Sequence, residues 1–189
     1  MSLYQKEPIT FDEYLQIREN TEELLEYIDG FIYMSPSPST RHQRISRKLL
    51  VQLDRFFEGK PCEVFSAPFD IELKNEKRDG TKIFIPDLSV ICDKKGFTDS
   101  RYVGVPSLII EILSPTNQSH DLITKLNIYM EYGVKEYWIV NPMLLSITVY
   151  KLNEENMYEQ HDMKTEIGKI HSGFLDGFTI ELKEIFSEG

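Results

Sequence analysis

The chain has 189 residues, close to the usual size of one domain and long enough to bury a substantial core. Hydrophobic residues make up 41 %, which argues against disorder, and no run of about 18 apolar residues occurs, so no membrane-spanning helix is expected. The net charge of −10 counts, as a sum, against a nucleic-acid partner, because phosphate binding relies on Lys and Arg. A sum does not exclude a local basic surface beside a cluster of acids.

Met1 to Pro8 is polar and lacks the apolar core of a secretion signal. The two cysteines, Cys62 and Cys92, are too few and too dispersed for a disulfide framework or a zinc site, so a cytoplasmic location is the expectation. No internal repeat, low-complexity stretch or linker divides the chain. One domain over residues 1–189 is expected, with a core at about 10–150 and a C-terminal hairpin extension at 151–189.

Thr10-Phe11-Asp12-Glu13 has the form of a capping box and predicts a short helix to about Glu19. Leu25 to Ile28 and Phe31 to Met34, joined by Asp29-Gly30, read as a tight hairpin. A proline-bearing loop, Ser35 to Ser39, leads to a second helix from about Thr40 to Phe57, with Ile45, Leu49, Leu53 and Phe56 on its buried stripe. Strands follow at Glu63 to Leu73, Asp87 to Cys92 and Ser107 to Leu113, with Lys74 to Lys82 as a hairpin loop. A third helix is expected from about Gln118 to Tyr132, stopped by Gly133. Further strands lie at Glu136 to Val140 and Ser146 to Leu152. The step from Ser107 to Val140 has the length of a parallel strand–helix–strand crossover. Together these elements predict an α/β (α+β) fold, a mixed sheet flanked by helices.

Glu111 is the most informative residue. Leu108-Ile109-Ile110-Glu111-Ile112-Leu113 reads as a strand buried on both faces, where an ionised carboxylate must find a cation, a strong donor or a proton. Asp87 follows Pro86 at the mouth of another apolar strand, a position where an Asp is often only a turn residue. Two carboxylates on neighbouring central strands form an oxygen-rich pocket for a hard cation such as Mg²⁺ or Mn²⁺. Such an ion supplies the charge stabilisation that phosphodiester hydrolysis requires. Asp121, Lys125 and Tyr129 share one helix face at four-residue spacing. The plain reading is a surface ion pair between Asp121 and Lys125; if that face looks over Glu111, Lys125 reaches the site. His42 points with Ile45, Leu49 and Leu53 toward the core, where a histidine is usually hydrogen-bonded in a structural role. Glu26 lies in the first hairpin, where an exposed acid is ordinary, and is a weaker candidate. Arg41, Arg44, Lys48 and Arg55 share the opposite face of the second helix, with Arg47 at its edge. They form either a solvated face or a phosphate-contacting surface.

With these residues in hand, the chain resembles the Uma family, formerly a domain of unknown function and assigned to the PD-(D/E)XK superfamily of restriction-endonuclease-like nucleases. The matching segments are Glu26-Tyr27-Ile28-Asp29-Gly30, Met34-Ser35-Pro36, His42, Pro86-Asp87-Leu88-Ser89-Val90, Glu111-Ile112-Leu113-Ser114-Pro115, Asp121, Lys125, Tyr129 and the block Gly133 to Pro142. The resemblance implies a restriction-endonuclease-like core and a Mg²⁺- or Mn²⁺-dependent DNA endonuclease. Asp87 and Glu111 are then its metal-binding acids and Glu26 an additional ligand, with His42, Asp121 and Tyr129 in support; on a nuclease, the basic residues Arg41, Arg44, Arg47 and Lys48 of the second helix are the DNA-contact candidates. It also favours a homodimer. The chain departs from the superfamily pattern at the lysine two residues after the acid, which is Leu113 here; Lys125 on the following helix is the candidate replacement. The alternatives are a catalytically weak or inactive DNA-binding or assembly module that keeps the fold, which the charge of −10 favours, and a small-molecule phosphoesterase.

Overall fold

The computed structural model describes residues 2–4, 7–35, 37–75, 80–115 and 120–187. Strand β1 (Ser2–Leu3) precedes helix α1 (Phe11–Glu19). Thr10 and Glu13 form the capping box: the Glu13 N–H donates to Thr10 Oγ1 at 3.3 Å and the Thr10 N–H to Glu13 Oε2 at 2.8 Å. Strands β2 (Leu25–Ile28) and β3 (Phe31–Met34) pair as the expected hairpin. Asp29 and Gly30 at φ 47° and 96° supply the left-handed turn that matches the strand twist. Helix α2 (Thr40–Phe57) is capped by Ser39 and buries Ile45, Leu49, Leu53 and Phe57; Phe56, expected in that stripe, packs at its edge against Phe178.

Beyond α2 the structure departs from the sequence reading. The single strand expected from Glu63 to Leu73 is two strands, β4 (Glu63–Ser66) and β5 (Asp70–Leu73), in different sheets. Pro68 lies between them and has no N–H to continue a ladder. Strand β6 (Lys82–Phe84) takes in Lys82, assigned above to a loop, and 76–79 of that loop lie outside the described residues. Strand β7 (Leu88–Ile91) begins just after Asp87, a 3₁₀ turn spans Lys94–Gly96, and β8 (Arg101–Gly104) is unanticipated because its run is short and interrupted by charge and glycine. Strand β9 (Leu108–Ile112) is followed by a π-helical turn, His120–Lys125, which leads into α3 (Leu126–Tyr132). The expected start of this helix, Gln118, lies outside the described residues; its end is capped by Gly133 at φ 90°. Strands β10 (Glu136–Asn141), β11 (Ser146–Leu152) and β12 (Tyr158–Thr165) come next, then the hairpin β13 (Lys169–His171) and β14 (Thr179–Glu181), and helix α4 (Leu182–Phe186). Cys62 and Cys92 form a disulfide, against the sequence expectation. The antiparallel register of β4 and β7 sets Glu63 opposite Ile91, which brings the residues just beyond them together.

The central sheet is mixed, in the order β12-β11-β10-β9-β7-β4, with β9 and β10 parallel and the other pairs antiparallel. A second six-stranded sheet, β1-β3-β2-β6-β5-β8, carries the N-terminal hairpin. Alternation along β9 sends Leu108, Ile110 and Ile112 into a core under α2, and Ile109 and Leu113 into a second core with Tyr129, Tyr132 and Phe84. Ile170, Leu175, Phe178, Ile180, Leu182 and Ile185 from the C-terminal extension join the α2 core. Among the described residues no helix is long and apolar enough to cross a membrane.

Candidate active site

Three central strands meet at one edge. β7 and β9 run antiparallel with Leu88 opposite Ile110, so Asp87, one residue before β7, lies beside the C-terminal end of β9. β9 and β10 run parallel with Ile112 beside Val140, and Pro142 and Met143 come to the same edge. A cavity of about 720 Å³ opens there, and its wall includes Asp87, Glu111, Lys125, His42, Arg41 and Arg47.

Asp87 is held by its Oδ2, which accepts the Ile112 N–H at 2.7 Å and lies 3.1 Å from His42 Nε2. The bond from a backbone N–H to a charged oxygen is of the stronger, charge-assisted kind and fixes the plane of the carboxylate. His42 is mostly buried on the first turn of α2, as its helical phase predicts, and its partner is the acid itself. Among the described residues, Oδ1 of Asp87 receives no hydrogen bond.

Glu111 is 4 % exposed, and its Oε1 accepts from Lys125 Nζ and from the Tyr129 hydroxyl, each at 2.9 Å. Lys125 ends the π-helical turn, and Tyr129 follows it by four residues on α3, so both reach the same oxygen. Burial, then the charges of Glu111 and Glu26, push the Tyr129 phenol well above its ordinary pKa, so it stays protonated as a hydrogen-bond donor to the carboxylate. Lys125 Nζ also lies 3.1 Å from Glu26 Oε1 and 5.7 Å from the centre of the Phe84 ring. Glu26 is fully buried on β2, accepts the Ile85 N–H at 2.9 Å, and stands behind Lys125 rather than on the cavity wall.

The structure therefore brings Asp87, Glu111, Lys125, Tyr129 and His42 together, with Glu26 one layer back. The side chain of Asp121 lies outside the described residues. Of the basic residues of α2, Arg41 and Arg47 line the cavity, whereas Arg44 does not. Lys48 turns to the end of α4, where its ammonium donates to the Ser187 carbonyl at 2.6 Å and the Ser187 hydroxyl at 2.9 Å. Sequence reasoning missed the Ile112 N–H, since a backbone donor carries no residue signature. Leu113, two residues after Glu111, packs in the second core.

A hard divalent cation fits this donor set. Asp87 and Glu111 both line the cavity, and Mg²⁺ characteristically takes one or two carboxylates and completes its shell with water and substrate phosphate. Among the described residues no three or more His, Cys, Asp or Glu are grouped to hold a metal ion.

Comparison with known proteins agrees with this architecture. A crystal structure of "a putative nuclease belonging to DUF820" from Anabaena variabilis ATCC 29413 superposes with a TM-score of 0.73 at 22 % identity, covering 95 % of this chain and 98 % of that one, which establishes a shared fold. Two proteins of Synechocystis sp. (strain ATCC 27184 / PCC 6803 / Kazusa) are similar in sequence. "Uncharacterized protein slr1290" is 29 % identical over 145 residues, 76 % of this chain and 74 % of the relative. "Uncharacterized protein sll1609" is 25 % identical over 170 residues, 88 % of this chain and 94 % of the relative. The family model described as "Uma2: Putative restriction endonuclease" matches residues 11–183, and this chain, with its restriction-endonuclease-like fold, belongs to that family.

Proposed function

We propose that the chain is a divalent-metal-dependent DNA endonuclease, with Asp87 and Glu111 as the residues that would hold Mg²⁺ or Mn²⁺ and Lys125 as the cationic group at the reacting phosphate. The observation that carries this reading is the convergence of all three side chains on one cavity whose wall also bears Arg41 and Arg47. When bound, the ion acts as a Lewis acid on a phosphoryl oxygen and offsets part of the phosphate charge. The Ile112 N–H and His42 keep the Asp87 carboxylate oriented. Tyr129 does the same for Glu111. As water attacks phosphorus and the bond to the leaving oxygen breaks, negative charge grows on the phosphoryl oxygens; the Lys125 ammonium faces that charge from a site largely closed to water. Arg41 and Arg47 serve as contacts to the DNA backbone beside the cleaved bond. Lys125 thus takes the part of the lysine that the superfamily carries where this chain has Leu113.

Duplex cleavage needs two sites facing strands of opposite polarity, and a two-fold homodimer of this small chain is the direct way to supply them. Light scattering should give a dimer at micromolar concentration; a monomer would point to nicking or to single-strand cleavage.

One observation favours a second reading. The Lys125 ion pairs to Glu26 and Glu111 would also suit a structural charge cluster in a DNA-binding module that has lost catalysis. A supercoiled-plasmid assay with and without Mg²⁺ or Mn²⁺ separates the two. The nuclease reading expects metal-dependent cutting by the native protein and none by Asp87→Ala. It also expects metal to raise the melting temperature of the native protein alone, because the ion binds only the folded site. A native protein that neither cuts nor gains stability from metal supports the module.

A further inference from the structure

We propose that Glu26 is the positioning residue for Lys125, a second anchor set behind the ammonium, and not a ligand of the metal. This rests on the reading of Lys125 given above and assigns the one buried acid of the site that the mechanism leaves without a role.

The lysine side chain has a flexible four-carbon stem and loses much of its rotamer freedom when its head is held in one place. Here its head is fixed by acceptors from two different sheets: Glu111 on β9 at 2.9 Å and Glu26 on β2 at 3.1 Å. With Glu111 alone, the ammonium would sit on the carboxylate that also faces the cavity, and any cation or phosphate engaging Glu111 would compete for it. Glu26 cannot be displaced in that way. It is fully buried, is not on the cavity wall, and is itself held by the Ile85 N–H at 2.9 Å. The Phe84 ring, from the strand that pairs with β2, lies 5.7 Å from the same ammonium and offers its face to the charge. Ile85 and Phe84 are adjacent, so one short segment of the N-terminal sheet supports both Glu26 and the lysine head. The arrangement holds a cation at the cavity wall while leaving Glu111 able to turn toward another partner.

The two roles open to Glu26 give opposite results in Glu26→Gln, which keeps the shape of the side chain and an acceptor for the Ile85 N–H. In the metal-free native protein labelled with ¹⁵N-lysine, Lys125 should show a slowly exchanging ammonium signal, identified by its loss in Lys125→Met. In Glu26→Gln that signal should broaden or vanish. Titration with Mg²⁺ by calorimetry should show binding retained in Glu26→Gln and lost in Asp87→Asn. Cleavage by Glu26→Gln should fall about 10–100-fold in kcat, the usual effect of removing a supporting partner, with KM for DNA little changed. Loss of Mg²⁺ binding in Glu26→Gln as in Asp87→Asn would make Glu26 a ligand and overturn the proposal. An unaltered ammonium signal in Glu26→Gln would overturn it as well. If the Gln variant does not fold, the native signal decides: exchange broadening typical of a free surface lysine refutes the second anchor. A native protein that binds no Mg²⁺ and cuts no DNA would defeat the nuclease reading, while the metal-free ammonium measurement would still decide whether Glu26 positions Lys125.

Discussion

Two buried acids on adjacent strands of the central sheet are satisfied in opposite ways. Glu136, at the start of β10, is fully buried and takes four neutral donors: Trp138 Nε1 at 2.6 Å and Ser172 Oγ at 2.7 Å on one oxygen, and the N–H groups of Gly173 at 2.6 Å and Phe174 at 2.7 Å on the other. Glu111, on β9, takes a lysine and a phenol and opens on the cavity. Rigid backbone donors enclose the first carboxylate, so it acts as a clasp that locks residues 172–174 and the C-terminal extension onto the sheet. The second is balanced by a charge on a side chain, which can share it with an incoming ion or phosphate. Burial alone does not mark an acid as functional; the kind of partner, and whether the group faces a cavity, distinguishes machinery from clasp.

That contrast breaks most visibly at Lys125. Lys125→Ala should lower cleavage by about 10²–10³-fold, the range for removing one group that stabilises transition-state charge. DNA binding should persist through Arg41 and Arg47. Lys125→Arg should restore little, since a planar guanidinium fork is not a compact point charge. Cleavage at the native rate in Lys125→Ala would place the lysine with the clasp, as structure only; single-turnover assays at matched protein concentration measure this.

The next effect is on stability. Glu136→Ala strands the Gly173 N–H and the Trp138 indole and leaves the Phe174 N–H with Ser172 Oγ alone, at 3.2 Å, and the loss should be on the order of 3 kcal/mol. For a chain of this length that lowers the melting temperature by roughly 6–12 °C. Any cleavage measured below the new midpoint should stay near the native rate. Calorimetry showing an unchanged midpoint would mean that the clasp does not hold the extension.

A third acid, Asp162 on β12, shows what partial exposure does to the same kind of cluster. Burial pushes it up, but the Lys164 ammonium, the His171 ring and the N–H groups of His171 and Met163 outweigh this and bring its pKa down to about 2. A folded value below the unfolded one, near 3.8, stabilises the fold at pH values above the unfolded pKa, and the contribution is lost as pH falls toward about 2. Solvent screening keeps it under about 1 kcal/mol. Asp162→Asn should therefore narrow its stability gap to the native protein between pH 4 and pH 2 in urea titrations, with no effect on cleavage at neutral pH. A gap that stays constant across that window would remove Asp162 from the set of stabilising acids.

Much of the candidate site is legible in the amino-acid sequence. The aliphatic run around Glu111 announced a buried carboxylate in need of a partner, and the four-residue spacing of Lys125 and Tyr129 placed both on one face. His42 fell in phase with the buried stripe of α2 and is indeed hydrogen-bonded there, to Asp87. Lys48 shows the limit. Its helical phase groups it with Arg44 and Arg41, yet its ammonium closes the end of α4, a segment 139 residues later in the chain.

By itself, the sequence determined periodicity, caps and turns: the Thr10 capping box, the Asp29-Gly30 hairpin, the α2 stripe and the Gly133 stop. These depend on neighbours a few residues away, where side-chain spacing and backbone preference act directly. Only the tertiary structure decided that β4 and β5 part into separate sheets, that Cys62 meets Cys92, that Glu26 shares Lys125 with Glu111, and that Glu136 clasps the extension. Each of these depends on which strands become neighbours, and strand pairing is settled by the burial of whole faces rather than by any local run of residues.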